Sequence, residues 1–207
     1  PKVYTAPGWG NTFALGIFAW LQPDRKLNEA DCRFAGSLKT ELLKYADKVI
    51  QGAEQTPFHP PYGNDAKDFF WGCLAEKCLN QGVSLMYAYI LTDKETYLTN
   101  AYRNMDYILG RNATGFCYVT GLGTKSPEHP HHRLSASDDI KAPIPGFLVG
   151  GPNPGQQDKA FYPTASPDES YVDTEDSYAS NEVAINWNAA LVALSSSLDA
   201  LAVDSVK

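Results

Sequence analysis

The chain has 207 residues, 43% hydrophobic and 20% charged, with no low-complexity tract, so it is long enough to bury a substantial core as one domain or a large piece of one. Its net charge of −7 weighs against nucleic acid or an anionic membrane as the main partner, because both are held largely by Lys and Arg. No apolar run reaches the roughly 18 residues of a membrane span, and the opening PKVYTAPGWG lacks the basic head and apolar core of a signal peptide, so a soluble chain with a neutral partner is expected.

From Asn11 to about Leu21 the sequence is apolar on nearly every face and opens on capping residue types, which predicts a short, fully buried helix ended by Pro23. A second helix is expected from about Arg33 to Glu54, where Phe34, Leu38, Leu42, Tyr45 and Val49 form one stripe. After the turn TPFHPPYGN, a third runs from Asp68 to about Leu91 with Val83, Met86, Tyr87 and Ile90 facing inward. A fourth covers about Lys94 to Leu109 with Tyr97, Ala101, Met105 and Ile108 in register, and Gly110 is placed to stop it. The last, from about Glu182 to Ala202, carries Val183, Trp187, Ala190, Leu191, Leu194, Leu198 and Leu201 on one stripe, capped by Ser180 or Asn181. Between the last two, Gly110 to Ser180 hold eight of the chain's 14 prolines and no sustained helical period. A connection that long inside a compact domain is usually functional. The fold class is all-α, with antiparallel helix pairs and a long irregular loop region before the last helix; FCYVTG is the one candidate for a small hairpin.

Cys32, Cys73, Cys78 and Cys117 form no CxxC or Cys/His ligand pattern and leave buried thiols or a single bridge open. Asn112-Ala-Thr114 matches the glycosylation sequon, a triplet frequent by chance. Two clusters mark the ends of the long loop region. Lys125-Ser-Pro-Glu-His-Pro-His-His-Arg133 concentrates His129, His131 and His132 in a proline-stiffened loop. Tyr171-Val-Asp-Thr-Glu-Asp-Ser-Tyr-Ala-Ser-Asn-Glu182 puts four carboxylates within ten residues.

Crowded carboxylates raise the pKa of at least one of them, which is what a general acid requires near neutral pH. A place for Glu182 in the first turn of a helix pulls the other way, because the macrodipole favours the anion. On composition alone the same acids fit a solvated loop leading into a helix. The histidines lack the i,i+4 pair of a zincin helix and fit a surface loop, so no metal or other cofactor is expected, with structural calcium left open. Among the tryptophans Trp20 reads as core. Trp71 and Trp187 stand between core packing and a flat surface for sugar rings, and Trp9 completes the four tryptophans.

At these clusters the chain resembles family 9 glycoside hydrolases, cellulases built on an (α/α)6 barrel. The family's first signature is a short apolar stretch, G-x-K, four residues and P-H-x-R, and YVTGLGTKSPEHPHHR supplies Gly123, Lys125, Pro130, His131 and Arg133, with only Cys117 departing. The second is matched by Tyr171, Asp173, Tyr178, Glu182, Ala184, Asn188 and Ala189. The likeness extends through APGWG, DYILGRN and PGFLVGGPNPGQQD. The resemblance implies that Glu182 is the general acid, that Asp173 and His131 complete the catalytic cluster, and that Arg133, His132, Trp187, Tyr178 and Trp71 bind the sugar. It implies hydrolysis of β-1,4-glucosidic bonds with inversion, the second carboxylate activating water across the cleft. Secretion or a periplasmic location follows from a polymeric β-glucan substrate.

The family's base lies in a D-A-G-D-type motif that these residues do not contain. Twelve helices with their loops need on the order of 400 residues, so the chain reads as the C-terminal half of the barrel, carrying the acid without its base. On this reading its partners are a β-glucan and the N-terminal half of the same domain, and the isolated chain is inactive. A catalytically incomplete glucan-binding or assembly fragment is the alternative.

Overall fold

The computed structural model describes residues 5–137 and 140–204. Seven α-helices follow one another among these residues: α1 (Phe13–Trp20), α2 (Glu29–Ile50), α3 (Asn80–Thr92), α4 (Glu95–Ile108), α5 (Arg133–Ser137), α6 (Tyr178–Asn181) and α7 (Ile185–Asp204). A π-helix at Leu74–Leu79 runs directly into α3. The extended pairings are isolated bridges, so the described fold is helical, as the periodicity implies.

Helix ends follow local chemistry. The Asn28 side chain accepts the Asp31 N–H at 2.9 Å, which starts α2 four residues before the expected Arg33. Glu29 and Arg33, at i,i+4, pair at 2.7 Å on its exposed face. Asp93 ends α3 in the left-handed region, φ 58°, and only Lys94 separates it from α4. That two-residue link forces α3 and α4 antiparallel, and they form the most extensively packed pair. Gly110, at φ 119°, ends α4 as its position predicts.

The main core gathers Leu74, Leu79, Leu85, Met86, Tyr97, Ile108, Tyr118, Leu148 and Leu194, from the π-helix, α3, α4, α7 and the long loop region. A Cβ on Gly82 would stand 2.5 Å from Leu194 Cδ2, so glycine is what lets α3 and α7 cross so closely. A second cluster joins α1 to α2 through Ile17, Phe18, Leu38 and Leu42, and Phe18 stacks on Tyr87 with centroids 3.9 Å apart.

Several expectations are corrected. Helix α1 is not fully buried: Ala14, Ile17 and Phe18 face inward while Phe13 and Leu15 are exposed. The third helix does not begin at Asp68, because Ala66–Asp68 is a separate 3-10 turn and Gly72, at φ 81°, breaks the helical path before Leu74. Ile90 and Phe34 are exposed, and Leu85 takes the interior position beside Met86. Helix α2 ends at Ile50, with Ala53–Gln55 as a separate turn. FCYVTG makes no hairpin; Val119 instead bridges the distant Leu148. The cysteines are all free thiols, Cys32 exposed and the other three buried, and burial raises the Cys73 thiol to about 11. Asn112 is buried with its amide donated to the Tyr107 and Phe116 carbonyls at 2.7 and 2.8 Å, so the sequon is closed to a glycan.

Leu194 is fully buried where α7, α3 and the π-helix meet. Leu194→Ala is expected to lower unfolding free energy by about 2–5 kcal/mol, read as a reduced denaturant midpoint with an unchanged slope.

Candidate active site

Glu182 does not lie in a helix. It has φ −70° and ψ 150° and occupies an extended step between α6 and α7, because neighbouring backbone claims its polar groups. His131 and Glu182 form a parallel bridge, with the His131 N–H donating to the Asn181 carbonyl at 2.8 Å. On the other side the Gly150 N–H donates to the Glu182 carbonyl at 3.0 Å and the Gly151 N–H to the Ser180 carbonyl at 2.8 Å. Val149 and Val183 pair antiparallel just beyond. The helix dipole expected to act on Glu182 from its own first turn is therefore absent, since α7 begins at Ile185.

The two signature loops are joined by a polar clamp. Asp173 accepts the Glu128 N–H on Oδ2 at 2.8 Å and the His129 N–H on Oδ1 at 3.0 Å. The amide of Asn181, wholly buried, donates to Asp173 Oδ1 at 2.9 Å and to the His129 carbonyl at 2.8 Å, while its oxygen accepts the Tyr171 hydroxyl at 2.6 Å. Bonds to an ionised carboxylate are roughly twice as strong as neutral ones, so the clamp fixes the histidine loop against the segment carrying Glu182. The four acidic residues do not crowd one point. Asp173 is committed to the loop amides, and Glu175 and Asp176 are exposed.

Further loop contacts set the remaining groups. His131 Nδ1 lies 2.6 Å from the Glu175 carbonyl. A carbonyl only accepts, so this nitrogen carries a proton and donates, which fixes the ring's orientation and leaves Nε2 turned away from the Glu175 carbonyl. The Tyr178 hydroxyl donates to the Gln157 carbonyl at 2.6 Å, and its ring stands between His131, at 6.1 Å, and Trp71, at 5.3 Å. Asp158 Oδ2 accepts the Ala179 N–H and the Tyr162 and Ser177 hydroxyls at 2.8–3.0 Å, which anchors the start of α6. Lys125 of the first signature donates to the Thr114 carbonyl at 2.7 Å and lies over the Phe116 ring, a loop-stapling role.

The Trp71 indole N–H donates to Glu182 Oε2 at 3.0 Å, and no other bond to that carboxyl forms among the described residues. Both side chains line a cleft of about 590 Å³ with Trp9, Phe70, Glu76 and Trp187. Trp187 is largely buried as the floor: a Cβ on Gly72 would stand 2.5 Å from its ring and one on Gly150 3.3 Å. The close fit of Trp187 against Gly72 places Trp71 on the cleft wall.

Sequence and structure thus bring together Glu182, Trp71, Tyr178, His131 and Trp187. Arg133 is exposed at the start of α5. His132 turns toward its own loop, with Nδ1 2.9 Å from Ser135 Oγ and its ring 4.9 Å from Phe147; neither lines the cleft. Sequence reasoning missed Glu76, which reads as an ordinary surface position within LAEKCL, and the clamping amide of Asn181, which it took for a helix cap. Among the described residues no three His, Cys, Asp or Glu side chains converge as metal ligands would, and no helix is long and apolar enough to cross a membrane.

The model of glycosyl hydrolase family 9 matches residues 3–195. The xyloglucan-specific endo-beta-1,4-glucanase BoGH9A of Bacteroides ovatus is 90% identical over all of this chain, which covers 35% of that protein. Endoglucanase D of Acetivibrio thermocellus is 35% identical over 89% of the chain, which covers 27% of it. In structure, the chain matches Bacteroides ovatus GH9 with a TM-score of 0.91 and 86% identity, covering 98% of this chain and 35% of that one. It also matches AaCel9A in complex with cellobiose-like isofagomine, with a TM-score of 0.84 and 33% identity, covering 96% and 38%. These structures are (α/α)6 barrels, and the chain spans about a third of the length of such relatives. With the family model covering nearly the whole sequence and the same helices recurring in solved members, the chain belongs to glycosyl hydrolase family 9.

Proposed function

We propose that this chain carries the acid side of a site that hydrolyses β-1,4-glucosidic bonds in a β-glucan, with xyloglucan the first substrate to test given its 90% identical relative. The observation that carries the reading is the Trp71–Glu182 hydrogen bond at 3.0 Å, which engages one carboxyl oxygen inside an aromatic cleft. Oε2 then acts as acceptor and Oε1 is the atom that carries the proton. Protonation of the glycosidic oxygen by Oε1 breaks the C–O bond, while water attacks the anomeric carbon from the opposite face and inverts it.

The base that takes the water's proton is assigned to a part of the polypeptide outside these residues. Asp173 acts through the clamp by holding the histidine loop. His131, held by its Nδ1 contact to the Glu175 carbonyl, offers Nε2 to a sugar hydroxyl, while His132 and Arg133 stand outside the cleft lining and would meet only a glucan that reaches beyond it. Trp71 and Trp9 offer indole faces to sugar rings, Tyr178 backs Trp71, and Trp187 forms the floor. A neutral sugar polymer suits a cleft whose walls are aromatic and whose protein carries net negative charge. The exposed apolar residues Phe13 and Leu15 of α1 and Ile185 and Val192 of α7 are surfaces for the remainder of the domain to cover. A polymeric substrate places the enzyme outside the cytoplasm.

In the intact polypeptide, Glu182→Gln is expected to lower kcat on xyloglucan or a soluble cellulose derivative by about 10²–10⁴-fold, measured by reducing-end release. The isolated 207-residue chain is expected to show no turnover in the same assay; turnover sensitive to Glu182→Gln overturns the assignment of the base elsewhere. Trp71→Phe keeps an aromatic face and deletes one hydrogen bond, and is expected to lower kcat about 3–10-fold with a smaller effect on KM.

A further inference from the structure

Glu76 is the second carboxylate in the cleft with Glu182, and nothing in the mechanism above uses it. It sits in the π-helix, the register-shifted turn that often marks functional positions. Its neighbours Leu74, Ala75, Cys78 and Leu79 are all buried, so the carboxylate projects from a rigid base. Oε2 accepts the backbone N–H of Trp9, and Oε1 lies 3.4 Å from the Asn186 amide at the start of α7. Three segments distant in sequence therefore meet at one side chain.

The Trp9 segment is a tight turn. The Gly8 N–H donates to the Asn11 carbonyl at 2.9 Å and the Asn11 N–H returns to the Gly8 carbonyl at 3.1 Å, leaving Trp9 and Gly10 at the tip. The Trp9 side chain is 80% exposed, so packing does not hold it in place. A Cβ on Gly8 would stand 2.6 Å from Glu76 Oε2, so the turn is fitted closely against this carboxylate. Trp9, Glu76 and Asn186 also line a separate groove of about 300 Å³ between α1, α3 and α7. The three residues thus partition the cleft from the groove behind it.

We propose that Glu76 is a positioning residue: by holding the Trp9 backbone it sets the indole against the cleft and determines how tightly a β-glucan binds on that side. The proposal rests on the reading of the cleft as a glucan site. A bound sugar needs a flat face at a fixed distance, and an indole on an unanchored two-residue turn loses affinity to the cost of ordering it.

The test uses the intact polypeptide with Glu76→Ala, Glu76→Gln, Trp9→Ala and the double variant Glu76→Ala/Trp9→Ala. For Glu76→Ala, KM on xyloglucan is expected to rise about threefold to tenfold with kcat changed by less than about twofold. Glu76→Gln keeps an acceptor oxygen for the Trp9 N–H and is expected to restore KM. The double variant is expected to be no worse than Trp9→Ala alone, because both changes remove the same interaction. An unchanged KM in Glu76→Ala, fully additive effects, or a kcat loss on the order of 100-fold in Glu76→Gln overturns the proposal, the last by making Glu76 part of the chemistry. Acrylamide quenching of Trp9 emission, taken as the difference from Trp9→Ala without sugar, separates this from the functional reading. A parent protein that cleaves no glucan refutes the latter, while stronger quenching in Glu76→Ala and parental quenching in Glu76→Gln still support the anchor. Equal quenching in all three contradicts it.

Discussion

The site depends on the clamp made by Asn181 and Asp173. A wholly buried amide must spend both its hydrogen-bonding ends on protein, and here they reach the His129 carbonyl, the Asp173 carboxylate and the Tyr171 hydroxyl. Asp173 in turn holds the amides of Glu128 and His129. These contacts cross more than forty residues of chain and join two loops that have no regular secondary structure to align them. Once they are joined, the His131–Glu182 bridge follows, and the carboxyl and the imidazole are set on adjacent extended segments.

That constraint also explains why Glu182 is extended. Where α6 ends, the Asn181 carbonyl is taken by the His131 N–H on one side and the Glu182 carbonyl by the Gly150 N–H on the other, with Val183 paired to Val149, so these groups are satisfied laterally and continuing the helix through Glu182 has nothing to add. Trp187 enters one helical turn later and packs against Gly72 and Gly150. The same glycine turn carries Trp71 to the carboxyl. Glu182, its hydrogen-bond partner Trp71 and the Trp187 floor beneath them are thus fixed by one connected set of contacts.

Much of this was legible in the sequence, for physical reasons that differ between elements. Helix α4 was readable because Tyr97, Ala101, Met105 and Ile108 keep one stripe and Gly110 supplies the left-handed stop. The third helix was misplaced at its start because a positive-φ glycine and a π-helix leave no periodic trace. Helix α1 read as buried because composition reports hydrophobicity and not whether a neighbour covers Phe13 and Leu15. At the site, the two signature patterns located Glu182, His131, Asp173 and Tyr178, while the lateral pairing that removes Glu182 from α7 is a long-range backbone effect. Glu76 was invisible because its partner, the Trp9 N–H, lies 67 positions away.

The cleft that results is aromatic and holds two carboxyl groups, Glu76 and Glu182, of which Glu182 has one oxygen already bonded to an indole. The central claim is that Glu182 delivers a proton to the leaving oxygen. Its most direct test is the dependence of hydrolysis on the leaving group, measured in the intact polypeptide with aryl β-glucan oligosaccharides of graded phenol acidity. An acid is needed only when the departing oxygen is basic, so Glu182→Gln should cripple the least acidic phenols and leave the most acidic ones close to the parent rate. An equal loss across the whole series would contradict the account and assign Glu182 a role other than proton donor.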